Sequence, residues 1–173
     1  MTGNMTDKEP SILIHLRDML ALPVMVTIVI PYLLYSHKLP ILKEQPVPVK
    51  IIAAIVLICG ASLQLYTTYL FKRFGKGTLA PWHPTQKLVI LGPYRYCRNP
   101  MITGVLMILA GEAFFFNTIP ILIWTVMFFC VNTAFFIFKE EPDMLQRFGA
   151  PYEDYKKQVP RWIPKLRAYT PNP

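Results

Sequence analysis

Two short clusters carry most of the side chains in this chain that can do chemistry. The first is Gly92-Pro93-Tyr94-Arg95-Tyr96-Cys97-Arg98-Asn99-Pro100, and the second is Lys139-Glu140-Glu141-Pro142. Adjacent carboxylates accept strong, directional hydrogen bonds, so Glu140 and Glu141 suit a ligand with several donors or a positive charge. They follow the last apolar run, where a helix C-terminus is expected and where paired acids would oppose the helix macrodipole. Pro100 fits the first turn of a helix, which makes Asn99 its N-cap, with free N–H groups suited to an anion such as a carboxylate. Gly75 and Gly77 permit close approach of a ligand, and Gly92-Pro93 marks a tight turn. His83, in a Pro-rich loop, reads as an exposed side chain. Cys59, Cys97 and Cys130 are too scattered for a disulfide framework or a metal site, and no metal is expected.

The elements that must position these clusters are apolar. The chain is 53% hydrophobic and 16% charged, with four apolar stretches at about 19–35, 49–71, 101–116 and 119–138. They lack the polar stripe of soluble amphipathic helices, and a bilayer core needs about 17–25 such residues per helix. Pro23 and Pro31 should kink the first. The fold class expected is an all-α integral membrane protein with about four transmembrane helices. The last two would form a C-terminal hairpin turning at Asn117-Thr118. Ser62, Gln64 and Thr67 are expected to bond to neighbouring helices, and Glu112 to be structural.

The net charge of +8 is distributed unevenly. Two Lys or Arg precede the first stretch, six lie between the second and third, and seven follow the fourth, whereas three lie between the first and second. That asymmetry predicts a multi-pass topology with both termini cytoplasmic. The charged lead-in of Asp7, Lys8, Glu9, Arg17 and Asp18 does not read as a cleavable signal, and 11–20 could form an interfacial helix. No basic patch is interleaved with aromatics, so the expected partner is a lipid bilayer, not a nucleic acid. The hairpin brings 72–100 and 139–173 to one membrane face, where cytoplasmic ligand-binding loops would form. Tyr96 and Trp162 suit interfacial anchoring.

The first cluster, with Met101 and Gly104, resembles the Arg-His-Pro-x-Tyr signature of the isoprenylcysteine carboxyl methyltransferases and their bacterial relatives. Glu140-Glu141, Phe148-Gly149, Tyr152, Tyr155, Val159-Pro160 and Ile163-Pro164 follow the same family's C-terminal pattern. The Glu-Glu-Pro triplet is also similar to the acidic motif of the related phospholipid N-methyltransferases. The resemblance covers 75–164 of one membrane methyltransferase domain, with N-terminal helices over 1–74 and a tail over 165–173.

What the resemblance implies is methyl transfer from S-adenosyl-L-methionine to a membrane-embedded, lipid-like acceptor. Its cofactor positions correspond to Gln86, Lys87, Leu88, Val89, Tyr94, Asn99, Pro100, Met101, Ile102, Glu140 and Glu141, and the signature arginine, Arg98, is the catalytic candidate. Three departures stand out. Asn99 replaces a histidine, and so cannot titrate. Ile102 replaces a tyrosine and its hydroxyl. Phe136 takes the place of an arginine that would hold a substrate carboxylate. The acceptor classes left open are a prenylcysteine, a phospholipid amine, another lipid and a small thiol. The non-enzyme alternatives are a membrane scaffold and a small transporter. A transporter calls for polar residues through several spans, which three of the four stretches lack; a scaffold needs neither cluster.

Overall fold

The computed structural model describes residues 21–37, 43–74 and 88–170. Gly75, Gly77, His83, Gln86, Lys87 and the expected helix at 11–20 lie outside these residues. The apolar runs fold into α1 (Ala21–Ser36), α2 (Val47–Phe74), α3 (Pro100–Phe115) and α4 (Ile119–Phe148), followed by a short polar helix, α5 (Ala150–Gln158). Every regular element among the described residues is helical.

Only α2, with 28 residues, and α4, with 30, are long and apolar enough to cross a bilayer. α3 has 16 residues, and α1 is also short of that length. Ile51, Ile55, Ile58 and Leu65 on α2 and Ile123, Val126, Val131 and Phe138 on α4 are all exposed. Such a continuous apolar exterior is unlike a soluble surface and suits hydrocarbon as solvent.

Small residues draw α2 and α3 together as antiparallel neighbours. A Cβ on Gly60 would lie 2.7 Å from the Gly104 carbonyl oxygen, and one on Gly111 would lie 2.8 Å from that of Ala53. The α3–α4 turn is the hairpin expected at Asn117-Thr118, and Asn117 takes the left-handed conformation with φ 56°. Its Oδ1 accepts from the Gln45 N–H at 3.2 Å, which ties this turn to the segment before α2.

Two π-turns modify the helices. In α1, Met25–Val29 follows Pro23, and the Val26 carbonyl accepts from the Trp124 indole on α4 at 3.2 Å. An apolar surrounding leaves little else to satisfy a loosened backbone group. In α4, the π-turn Phe136–Glu140 precedes Pro142. It corrects the expected helix end at the acidic pair: Pro142 lacks an N–H, yet sits at a first-turn position where none is needed, so the helix continues to Phe148. Glu140 and Glu141 are therefore inside a helix. A second correction concerns polar side chains of α2. Ser62 and Thr67 hydroxyls donate to carbonyls four residues back in their own helix, at 2.9 and 2.7 Å, while Gln64 is buried where α2 meets Gly104.

Candidate functional site

The motif loop enters as extended chain at Leu91 and turns at Gly92, whose φ is 54°. A side chain there would be strained, and its Cβ would lie 2.9 Å from Leu70 Cδ1. A 3-10 turn over Gly92–Arg95 follows, burying Tyr94. Asn99 stands at the N-cap of α3 as expected, but its side chain makes no capping bond. Instead its carbonyl accepts from the Thr103 N–H and hydroxyl, both at 3.0 Å. That leaves the Asn99 amide uncommitted to the helix.

The two clusters meet through ions. Glu141, 5% exposed, receives Arg98 Nη1 at 2.9 Å, Arg161 Nη2 at 2.7 Å and Lys156 Nζ at 2.9 Å. Burial on its own disfavours the charged carboxylate; three cations at contact distance more than offset it. Glu140 makes no ion pair or hydrogen bond with the described residues, although its charge bears on Tyr94. Burial first, and Glu140 second, push the Tyr94 phenol well above its ordinary range, so it is a neutral donor. Of five buried side-chain atoms that lack a partner among the described residues, three belong to the two clusters and the segment after α5: Tyr94 Oη, Arg98 Nε and Trp162 Nε1; the others, Glu112 Oε2 and Thr118 Oγ1, lie at the far end of α3.

The chain after α5 folds back over the loop. The Arg98 N–H donates to the Pro160 carbonyl at 2.9 Å, the Lys165 N–H to Tyr96 at 3.0 Å and the Tyr169 N–H to Arg95 at 2.9 Å. The Tyr155 hydroxyl donates to the Tyr94 carbonyl at 2.6 Å. Cys97 Sγ lies 3.1 and 3.2 Å from the carbonyls of Arg161 and Trp162. Burial raises the Cys97 pKa, partly countered by Asn99, Thr103 and Arg98, so the thiol is a donor here and not a nucleophile.

The structure thus brings Tyr94, Arg98, Glu140 and Glu141 together. Val89 is buried, and Leu88 packs on the cluster of Tyr152, Tyr155, Val159 and Tyr169. Pro100 is buried at the start of α3, Met101 receives the Thr68 hydroxyl at 3.6 Å, and Ile102 is half-buried. Trp162 packs on Phe136 and Phe129 with ring centroids 5.6 and 5.2 Å away. Lys156 falls within the family-like C-terminal pattern and Arg161 is one of the arginines able to take over a carboxylate, but their convergence on Glu141 is not legible in their spacing, and Tyr169 carries no signal in the sequence. Beside the loop, an apolar cleft of about 310 Å³ is lined by Leu63, Pro93, Tyr96, Cys97, Pro100, Thr103 and Pro164.

The chain has relatives among known proteins. A stretch of 78 residues is 32% identical to Methanethiol S-methyltransferase 2 of Bradyrhizobium diazoefficiens. It covers 43% of this chain, and the chain spans 28% of that relative's length. Residues 49–151, from α2 to the start of α5, match the phospholipid methyltransferase family. With more than half its length matched, the chain belongs to the phospholipid methyltransferase family of membrane methyltransferases.

Proposed function

We propose that this protein transfers a methyl group from S-adenosylmethionine to a lipid-like acceptor at the cytoplasmic face of a membrane. On this reading it is a multi-pass protein with both termini cytoplasmic and residues 1–173 in one domain. The observation that carries the proposal is the convergence of Tyr94, Arg98 and Glu140, three side chains with unspent hydrogen-bonding capacity, at the inner end of α4. They fit the cofactor chemically: a carboxylate for its ammonium or ribose hydroxyls, and buried donors for its carboxylate.

When bound, the cofactor supplies a methyl group already activated by a sulfonium, so the protein's task is orientation and exclusion of water. Glu140 is the acid that binds it, with Asn99 and the backbone of Gln86–Val89. Glu141 is a positioning residue, since its oxygens are taken by Arg98, Arg161 and Lys156. Held by that ion pair, Arg98 keeps its buried Nε available as a donor to the cofactor. Phe129, Phe136 and Trp162 form an apolar wall against water. Phe136 is 5% exposed, so at this position an acceptor meets a ring and no cation.

A small thiol acceptor is the second reading. It is favoured by the name of the Bradyrhizobium relative and by a cleft near the loop that is almost wholly apolar. Membranes containing the protein, incubated with methyl-labelled S-adenosylmethionine, should yield one labelled class of product by mass spectrometry. Absence of label in both lipids and thiols overturns the proposal. In calorimetry Glu140→Gln should weaken cofactor binding at least tenfold, and an unchanged affinity would remove Glu140 from the site.

A further inference from the structure

The segment from 160 to 170 has no regular structure, yet a ring contact and a shared cleft fix its depth. Trp162 packs on Phe136 and Phe129 of α4. Those residues precede Lys139, where the apolar run ends, by about 4.5 and 15 Å along the helix at 1.5 Å per residue. Pro164 shares the apolar cleft with Leu63 of α2, which precedes Lys72, the first charge at that end, by about 13 Å on the same rise. The ring packing and the shared cleft set residues 162–164 beside the apolar portions of the two longest helices, inside the level of their charged ends. α3 agrees, since its 16 residues span only about 24 Å, and the loop at its start is recessed between the longer α2 and α4.

Irregular backbone is tolerated at such depth only where its polar groups find protein partners. Here they do. The Pro160, Arg161 and Trp162 carbonyls lie against Arg98 N–H and Cys97 Sγ, and the Lys165 N–H donates to Tyr96. With the polar backbone turned inward on the motif loop, two apolar side chains stand outward: Ile163 is 79% and Leu166 is 99% exposed.

We propose that residues 162–166 form a strap at the lipid boundary, with Ile163 and Leu166 in contact with the acyl chains of the leaflet on the side of the site and the exposed Arg167 extending to the headgroups. The inference rests on reading α2 and α4 as membrane-crossing, which belongs to the proposed function, and goes beyond it by assigning a lipid-contact surface to the tail. Because the strap and its flanking residues pin Arg95, Tyr96 and Arg98 by their backbones, the lipid that surrounds it also bears on the shape of the site.

The test is depth. Ile163→Cys and Leu166→Cys, each labelled with an environment-sensitive fluorophore in the full chain lacking Cys59 and Cys130, would be reconstituted into phosphatidylcholine–phosphatidylglycerol vesicles. Glu153→Cys on α5 is the aqueous reference. Labels at 163 and 166 should be quenched by acyl-chain nitroxide lipids and should be several-fold less sensitive to iodide than the label at 153. Iodide quenching equal to that at 153 overturns the strap, as does protection from both quenchers, which means a protein partner covers it. Binding of radiolabelled S-adenosylmethionine by the same preparations is read separately. Lipid-quenched labels without cofactor binding overturn the methyl-transfer reading alone, and cofactor binding with iodide-quenched labels overturns the strap alone.

Discussion

Glu140 and Glu141 are chemically identical neighbours with opposite situations. Glu141 is the only carboxylate among three cations, so its loss leaves buried positive charge uncompensated. Glu141→Gln should destabilise the protein by about 3 kcal/mol, the low end for a buried pair because Lys156 reaches water. Denaturant unfolding in detergent measures this. Glu140→Gln should leave the same unfolding curve nearly unmoved, because no cation among the described residues pairs directly with that carboxylate and Arg147 acts on it only at longer range. Equal losses of stability for both variants would mean that the division of labour between them is wrong. Tyr155→Phe deletes one hydroxyl, the donor to the Tyr94 carbonyl. Its ring packing survives, so the expected stability loss is about 1 kcal/mol, with a weaker affinity for cofactor as the 3-10 turn loosens.

At the scale of elements, the contact between α2 and α3 is close because there is no side chain to separate the backbones. Gly104→Ala would set a Cβ 2.8 Å from the Gly60 carbonyl oxygen and 2.9 Å from the Gln64 nitrogen, both rigid backbone atoms. The helices must move apart, at a cost of about 1–3 kcal/mol, and Pro100 and Asn99 move with α3. Thermal unfolding should shift down; an unchanged midpoint would mean that the helices are not packed this closely. Gly111→Ala is a parallel case, where Ala53 O and Leu57 Cβ would each lie 2.8 Å away. α4 works differently. Its π-turn lets one helix present an apolar face through Phe135 and then turn two acids toward the loop, an arrangement often found where a helix carries function.

For the whole molecule, the junction between chain end and core is polar and titratable. The Tyr169 hydroxyl donates to Asp154 Oδ2 at 2.6 Å. That bond, helped by Gln158, holds the Asp154 carboxyl below its usual range and, together with burial, pushes the Tyr169 phenol up to about 12. A depressed acid stabilises the fold above its ordinary pKa of about 3.9 and loses that contribution as pH falls through its native value; a raised phenol contributes below its ordinary pKa of about 10. The tie is therefore complete between those limits and is lost as pH rises from about 10 through the native value of about 12. Tyrosinate absorbance should show a late-ionising group that disappears in Tyr169→Phe; a wild-type titration identical to the variant's would show that the tie does not form.

The sequence by itself determined the helical class, the hairpin at Asn117-Thr118 and the two chemical clusters. Hydrophobic length, helix-start proline and residue type are local properties, legible without coordinates. It also carried the family, through the signature around Arg98 and the acidic pair. It misjudged the end of α4, because Pro142 stops a helix in isolation and not after a π-turn. Only the tertiary structure decided that Glu141 is consumed by Arg98, Arg161 and Lys156 while Glu140 makes no ion pair with the described residues, and that Trp162 lies against Phe136. These outcomes depend on contacts between residues 15 to 43 positions apart, and on a tail whose composition resembles any basic terminus. Which of two adjacent carboxylates meets the cations depends on helix rotation, and one π-turn sets that rotation.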